Sequence, residues 1–386
     1  MKVLNIKILK KILMTVAVCC FALTACKKSA VEENKGLASA FANKFLIGTA
    51  MNSLQIFEID TLGAAIIKKQ FNAIVPENCM KSMYLQPEEG KFFFDEADKY
   101  VAFGEANNLW ITGHCLIWHS QAPQWFFADE NGNDVSRETL IERMRNHITT
   151  VVSRYKGRIK GWDVVNEAIL DDGSWRQSKF YQIIGEDFIN LAFQFAHEAD
   201  PDAELYYNDY STAIEAKCQG IVKVVKSIQA KGLRIDAVGM QGHLNMDSPS
   251  VDEFEKSLLA FSELGVKVMI TELDLTVLPS FNNFTGADVS ANFDFQAELN
   301  PYSDSLPAQI ALQQQNRYAD FFKLFLKHHD KISRVTLWGV TDNDSWRNNW
   351  PVHGRTDYAL LFDRKYQPKP VVAELIKLTE QNEAKL

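Results

Sequence analysis

Two acidic strand ends carry the chemistry that can be read in this chain. Glu272 and Asp274 close the stretch Val266 to Thr276, VKVMITELDLT, in which Val266, Val268 and Ile270 alternate as in a buried strand. Positions two apart on a strand share a face, so both carboxylates project to the same side. Glu167, preceded by Asn166, closes a second run of this kind, IKGWDVVNEA. Barrel enzymes place their chemistry where parallel strands run out into loops. Solvated or structurally clustered acids at a strand end would give the same pattern, so the neighbouring strand ends must decide.

Those ends are polar or aromatic almost throughout. They supply Glu77 and Asn78, then His114, Trp118 and His119, then Asn208 and Asp209, then Gln241 and His243, and finally Trp338, Asp342 and Trp346. A merely structural barrel needs only a few such residues, so the set marks a site. Carboxylates from distant parts of a rim, flanked by amides and tryptophans, suit sugar rings, which offer hydroxyls at their edges and C–H faces for stacking. A metal centre is the rival. His114 and His119 are five apart across a strand end and would point to opposite faces, and neither HxH nor HExxH occurs, so no metal or other cofactor is expected.

The elements that must hold these residues alternate along the chain. Candidate strands begin at Phe45, Phe71, Leu109, Ile159, Ala203, Ala237, Val266 and Arg334. Helical patterns lie between them at Asp95 to Asn107, Arg137 to Tyr155, Phe180 to Ala199, Ala213 to Ala230, Val251 to Leu264 and Pro307 to His329. Eight candidate strands alternating with these helical patterns over about 340 residues predict an α/β fold, a single-domain (β/α)8 TIM barrel, over an open doubly wound sheet. No GxGxxG or GKS loop follows any strand, which weakens a nucleotide-binding reading. The segment from 279 to 306 is rich in Asn, Asp, Ser and Phe and too long for a plain connector, so it is expected to elaborate the rim beyond Glu272.

The N-terminus is of another kind. Residues 1–25 place Lys2, Lys7, Lys10 and Lys11 before an apolar run from Ile12 to Ala25, the layout of a secretory signal and too short for a comfortable membrane span. The run ends Leu23-Thr24-Ala25-Cys26, resembling the bacterial lipoprotein box, in which Cys26 becomes the acylated first residue. A plain signal peptide with a chance cysteine is the alternative. Residues 26–38 read as the lipidated cysteine and a polar tether, and 39–386 as the folded body. The expectation is therefore a protein exported across the inner membrane and anchored by lipid at its periplasmic face or at the cell surface.

Removing residues 1–25 takes four lysines and no acids, so the net charge of −8 becomes −12, which argues against nucleic acid as a partner. Of six cysteines, Cys19 and Cys20 leave with the signal and Cys26 is lipidated. The remaining three, Cys79, Cys115 and Cys218, form no CxxC unit and are expected as buried free thiols.

The strings FNAIVPENCMK, GHCLIWHSQAPQW, GWDVVNEA, LYYNDY, GMQGHL, ITELD and LWGVTDNDSW, in this order, resemble family 10 glycoside hydrolases, the endo-1,4-β-xylanases. The likeness runs from Leu46 to Pro370, and the tail LLFDRKYQPKP belongs to it. It implies retaining hydrolysis of xylan by a monomer, with Glu167 as general acid/base and Glu272 as nucleophile. It further implies that Asn166 bonds the sugar 2-hydroxyl, that His243 orients Glu272 with Asp274 behind it, and that Glu77, Asn78, Lys81, His114, Trp118, Gln121, Asn208, Gln241, Trp338 and Trp346 bind substrate. Without the resemblance, Lys81 reads as a solvated surface lysine. Ser82, followed by Met83, stands where many relatives have Trp, and Ser211 and Ala237 replace a frequent Asn and Gly; none is a catalytic position.

Two other readings remain at this level. A β-1,4-glucanase of the same barrel clan uses the same pair of glutamates, and Gln121 and Trp346 are the residues expected to exclude its extra hydroxymethyl group. A surface sugar-binding lipoprotein without turnover should lack one carboxylate, and both are present.

Overall fold

The computed structural model describes residues 36–280 and 287–383. The signal segment 1–25, Cys26 and nearly all of the tether lie outside the described residues, as does part of the 279–306 loop.

Eight strands form the barrel: β1 Leu46–Met51, β2 Ala73–Pro76, β3 Trp110–Trp118, β4 Gly161–Asn166, β5 Glu204–Asp209, β6 Ala237–Met240, β7 Lys267–Leu275 and β8 Ile332–Leu337. All neighbours pair in parallel, and β1 bonds to both β2 and β8, which closes the sheet. A two-residue strand, His243–Leu244, pairs with Asp274 and Leu275 at the upper lip. Strands walled on both faces are buried along their length, which is why AIVP is apolar throughout and GWDVVN is apolar apart from the buried Asp163 and the closing Asn166.

The outer ring is α1 Thr61–Gln70, α2 Asp95–Ala106, α3 Arg137–Arg154, α4 Asp187–Ala199, α5 Glu215–Ala230, α6 Val251–Ser262, α7 Ala308–Lys327 and α8 Pro370–Glu383. Their starts are chemically specified. The Ser136 hydroxyl accepts from Thr139 N at the head of α3, and Ser250 forms a reciprocal capping box with Glu253 at the head of α6. The inner face of α3 buries Leu140, Met144, Ile148, Val151 and Val152, spaced at the helical period.

The helix expected over Phe180–Ala199 is two helices, Lys179–Ile184 and α4, because Gly185 takes a positive φ of 83° that ends the first. The sequence reading passed over α1 and α8. α1 carries Gly63 in its first turn and is short, and α8 follows an irregular Pro-containing tail, so neither announces itself by pattern.

The barrel interior is filled in layers. Tyr206, Ala237 and Met269 pack together, with the buried Arg334 guanidinium 5.5 Å from the Tyr206 ring centroid. This apolar and cationic layer is the floor beneath Asn208, one pleat higher on β5. Two glycines make the packing possible. A Cβ on Gly113 would lie 2.1 Å from the Trp162 ring, and one on Gly239 would lie 2.3 Å from Asn208 Oδ1.

Candidate active site

At the C-terminal end of the barrel, thirteen of the fifteen expected site residues line one cleft. Glu77, Asn78 and Lys81 arrive after β2, His114 and Trp118 from β3, Asn166 and Glu167 from the end of β4, and Glu272 from β7. Gln121, Gln241, His243, Trp338 and Trp346 complete the set. The remaining two, Asn208 and Asp274, sit just outside the lining and hold it in place. His119 and Asp342 also stand at strand ends, but neither lines the cleft. Burial lowers the His119 pKa to about 3, so it is neutral, and Asp342 is fully buried in an ion pair with Lys369 at 2.8 Å.

Glu167 follows directly on β4 and adopts a left-handed backbone, φ 59°, a costly state for a residue with a side chain. Its N–H donates to Asn208 O at 2.9 Å, and its carbonyl accepts from Arg176 Nε at 2.9 Å, so both sides of the strained residue are tied down. Its carboxylate accepts from Trp118 Nε1 at 2.8 Å, from Gln241 Nε2 at 2.9 Å and from Asn166 Nδ2 at 3.2 Å. Burial, with the charge of Asp209 added, raises its pKa to about 7 despite these donors.

Glu272 is in the contrary state. Burial pushes its pKa up, but the hydrogen bond from His243 and the neighbouring positive charge outweigh burial and hold it below the ordinary glutamate value. His243 Nε2 lies 3.2 Å from Glu272 Oε2, and Nδ1 lies 2.9 Å from Asp274 Oδ2. Burial works against protonation of that ring, yet Asp274 and Glu272 win and raise it to about 9, so it is an imidazolium near neutral pH. The other Glu272 oxygen accepts from Asn208 Nδ2 at 2.8 Å.

Lys81 is buried, which overturns the reading of it as a surface lysine. Its ammonium bonds Asn78 Oδ1 and Gln121 Oε1 at 3.0 Å each and lies 4.8 Å from the Trp118 ring centroid. Burial lowers its pKa, and Glu77, Glu272 and Glu167 are among the groups that raise it. With the His243 imidazolium it supplies the positive charge of a cleft whose other charges are acids.

Several supports were not singled out from sequence. Arg347 Nε donates to Asp274 Oδ1 at 3.2 Å beside Trp346 Nε1, which donates to Oδ2 at 2.7 Å. Thr271 fixes the Asn208 amide at 2.6 Å, and Asp163 holds His114 Nδ1 at 2.8 Å. Ala287 and Val289 of the long loop line the cleft, and Asp288 between them pairs with Arg176 at 3.2 Å. Arg347 and Thr271 had a usable signal, adjacency to Trp346 and Glu272. Nothing in the sequence tied Asp288 to Arg176, more than a hundred positions away.

The glycosyl hydrolase family 10 model matches residues 36–378. An endo-1,4-beta-xylanase A of Xylanibacter ruminicola is 52% identical over 362 residues, covering 94% of this chain and 98% of the relative. An endo-1,4-beta-xylanase of Geobacillus stearothermophilus is 40% identical, covering 89% of this chain and 98% of the relative. Among solved structures, a GH10 endoxylanase from a sugarcane soil metagenome superposes with a TM-score of 0.86 at 48% identity, covering 89% of this chain and all of that one.

Proposed function

The chain belongs to glycosyl hydrolase family 10, and from that premise we propose that Glu272 is its nucleophile and Glu167 its general acid/base. The protein is an endo-1,4-β-xylanase that hydrolyses the β-1,4 bonds of xylan with retention, by double displacement on two glutamates. The observation that carries the assignment is the opposite protonation preference of the two carboxyls in one cleft, Glu167 raised to about 7 and Glu272 held below its usual range.

In the first step Glu272 attacks the anomeric carbon while Glu167 gives its proton to the departing glycosidic oxygen. A glycosyl ester on Glu272 and a free aglycone result. The negative charge of Glu272, one of the groups that keeps Glu167 protonated, is then gone. The pKa of Glu167 falls, and it accepts a proton from water as that water opens the ester. Asn166, whose amide already faces Glu167, is placed to hold the 2-hydroxyl of the reacting sugar. Lys81, Asn78, Gln121 and Glu77 bind the next sugar on the glycone side.

Substitution separates the two roles. Glu167→Ala should retain glycosylation of aryl xylobiosides whose leaving group needs no proton, and should lose natural xylan hydrolysis. Glu272→Ala should lose turnover on both. Substantial aryl xylobioside activity in Glu272→Ala would overturn the assignment.

We also propose that the mature protein begins at Cys26 as a lipoprotein exported across the inner membrane, on the strength of Leu23-Thr24-Ala25-Cys26 and the polar stretch behind it.

A further inference from the structure

One guanidinium joins three segments of the rim. Arg176, nine residues beyond Glu167, has a side chain only 10% exposed, and three of its nitrogens each hold a different segment. Nε donates to Glu167 O at 2.9 Å, where β4 has just ended. Nη2 donates to the Tyr210 hydroxyl at 2.6 Å, one residue past β5, and Nη1 donates to Asp288 Oδ2 at 3.2 Å, in the long loop after β7. Arginine presents its donors in a planar fork, which can serve several acceptors at once.

Asp288 is aimed at this cation by its own turn. Its other oxygen accepts from Ser290 N at 3.0 Å and from Ser290 Oγ at 2.7 Å. The residues on either side of it, Ala287 and Val289, line the cleft. Further along, Phe293 N donates to Pro351 O at 2.8 Å, beside the Trp350 ring that stacks on Trp346. Residues 287–293 are therefore fastened at two points, and the fastening at Arg176 shares its guanidinium with the main chain of Glu167. Glu167 needs that hold. Its φ of 59° is a state that persists only where the surroundings impose it, and Arg176 is what ties its carbonyl. Displacing a catalytic group by about 1 Å can cost on the order of 10²-fold in rate.

We propose that Arg176 is a positioning residue for proton donation, and that Asp288 is the contact through which the 287–289 wall of the cleft sets it. The wall that faces substrate and the backbone that aims the acid thus share one cation. This rests on Glu167 as the general acid.

The test is the ratio of kcat/KM for dinitrophenyl xylobioside, whose leaving group departs without a proton, to that for phenyl xylobioside, whose leaving group needs one. A ratio taken on one sample does not depend on how much of a variant folds, so a purely structural role leaves it unmoved. Arg176→Lys keeps the charge and loses the fork, and should raise the ratio roughly 10-fold. Asp288→Ala should raise it by less, and adding Asp288→Ala to Arg176→Lys should raise it no further, because both act through one contact. A native ratio in Arg176→Lys would overturn the positioning role. A native ratio in Asp288→Ala, or full additivity in the double variant, would overturn the coupling to the loop. Glu167→Ala is the reference and should show the largest ratio of all; a native ratio there would remove Glu167 as the acid instead.

Discussion

His243 divides one ring between two carboxylates, with Nε2 3.2 Å from Glu272 Oε2 and Nδ1 2.9 Å from Asp274 Oδ2. Asp274 is itself held by Trp346 and Arg347, so the imidazolium has a fixed counter-ion behind it and a nucleophile in front. Replacing the ring by a neutral side chain, as in His243→Asn, removes the charge that keeps Glu272 ionised. The pKa of Glu272 then rises, and the acid limb of the kcat/KM profile should move to higher pH, each unit corresponding to about 1.4 kcal/mol. The same ring bears on stability. Its folded pKa of about 9 lies above the unfolded value of 6.5, so its contribution is complete below that value and fades as pH climbs through the folded one. A pH–rate series on His243→Asn checks the first point, and an acid limb that stays in place would count against it.

Asp209 acts on the other glutamate. It is buried, paired with Lys217 at 3.0 Å, and its charge adds to burial in raising Glu167. Asp209→Asn should lower the Glu167 pKa and draw the alkaline limb of the profile to lower pH. It should also cost stability, on the order of 3–5 kcal/mol, because Lys217 loses its buried carboxylate partner and keeps the half-exposed Asp171 and the Tyr210 ring. Calorimetry and a pH–rate series on one sample read both effects. An alkaline limb unmoved in a folded Asp209→Asn protein would mean that burial and Glu272, and not Asp209, set Glu167.

Much of this site could be read from sequence because the barrel converts strand ends into a rim. Glu272 and Asp274, two apart on β7, do meet a common partner, and Glu167, Gln241 and Trp118 come together from three strands as their positions at strand ends imply. What escaped is long-range and nonperiodic. Lys81 looked solvated because burial of a lysine depends on Gln121 and Trp118, which no local pattern shows. Arg176 stands in no motif, and its three partners Glu167, Tyr210 and Asp288 are joined only by folding. Gly185 broke an expected helix because one residue with φ 83° outweighs the apolar period on both sides of it.

The N-terminal proposal has its own test. Several acyl chains on Cys26 hold a protein stably in a bilayer, whereas a single chain is marginal. Fractionation of cells expressing the native chain and Cys26→Ala should find the native protein with the membranes and the variant in the soluble fraction. Equal soluble amounts would remove the lipoprotein reading and leave a plain secretory signal.

Xylan should be cleaved far faster than cellulose-type chains. A glucose unit carries a hydroxymethyl group where xylose carries hydrogen, and Gln121 and Trp346, which line the cleft, are the residues expected to meet that group. Trp346 cannot yield easily, since its ring stacks on Trp350 at 4.2 Å and its Nε1 is bonded to Asp274. Steric rejection of a larger group discriminates more strongly than weak binding of a smaller one. The measurement is kcat/KM on matched aryl xylobioside and aryl cellobioside. Similar values would transfer the enzyme to the glucanase side of its clan.

The stereochemical outcome follows from how the two glutamates are joined. Glu167 Oε1 accepts from Gln241 Nε2, which lies 3.4 Å from Asn166 Oδ1; that oxygen accepts from Asn208 Nδ2, and the same Asn208 nitrogen donates to Glu272 Oε1 at 2.8 Å. A chain of three side-chain amides therefore spans the pair and sets their separation, with Thr271 locking the Asn208 end. Carboxyls spanned so compactly are expected at roughly the 5–5.5 Å of a retaining pair, too close for a water to enter between carboxylate and sugar. Glu272 must then attack the anomeric carbon itself, and the sugar released by the second displacement keeps the β configuration. Proton NMR of the first product, taken before mutarotation, should show the β anomer. An initial α anomer would mean single displacement and would take Glu272 out of the nucleophile role.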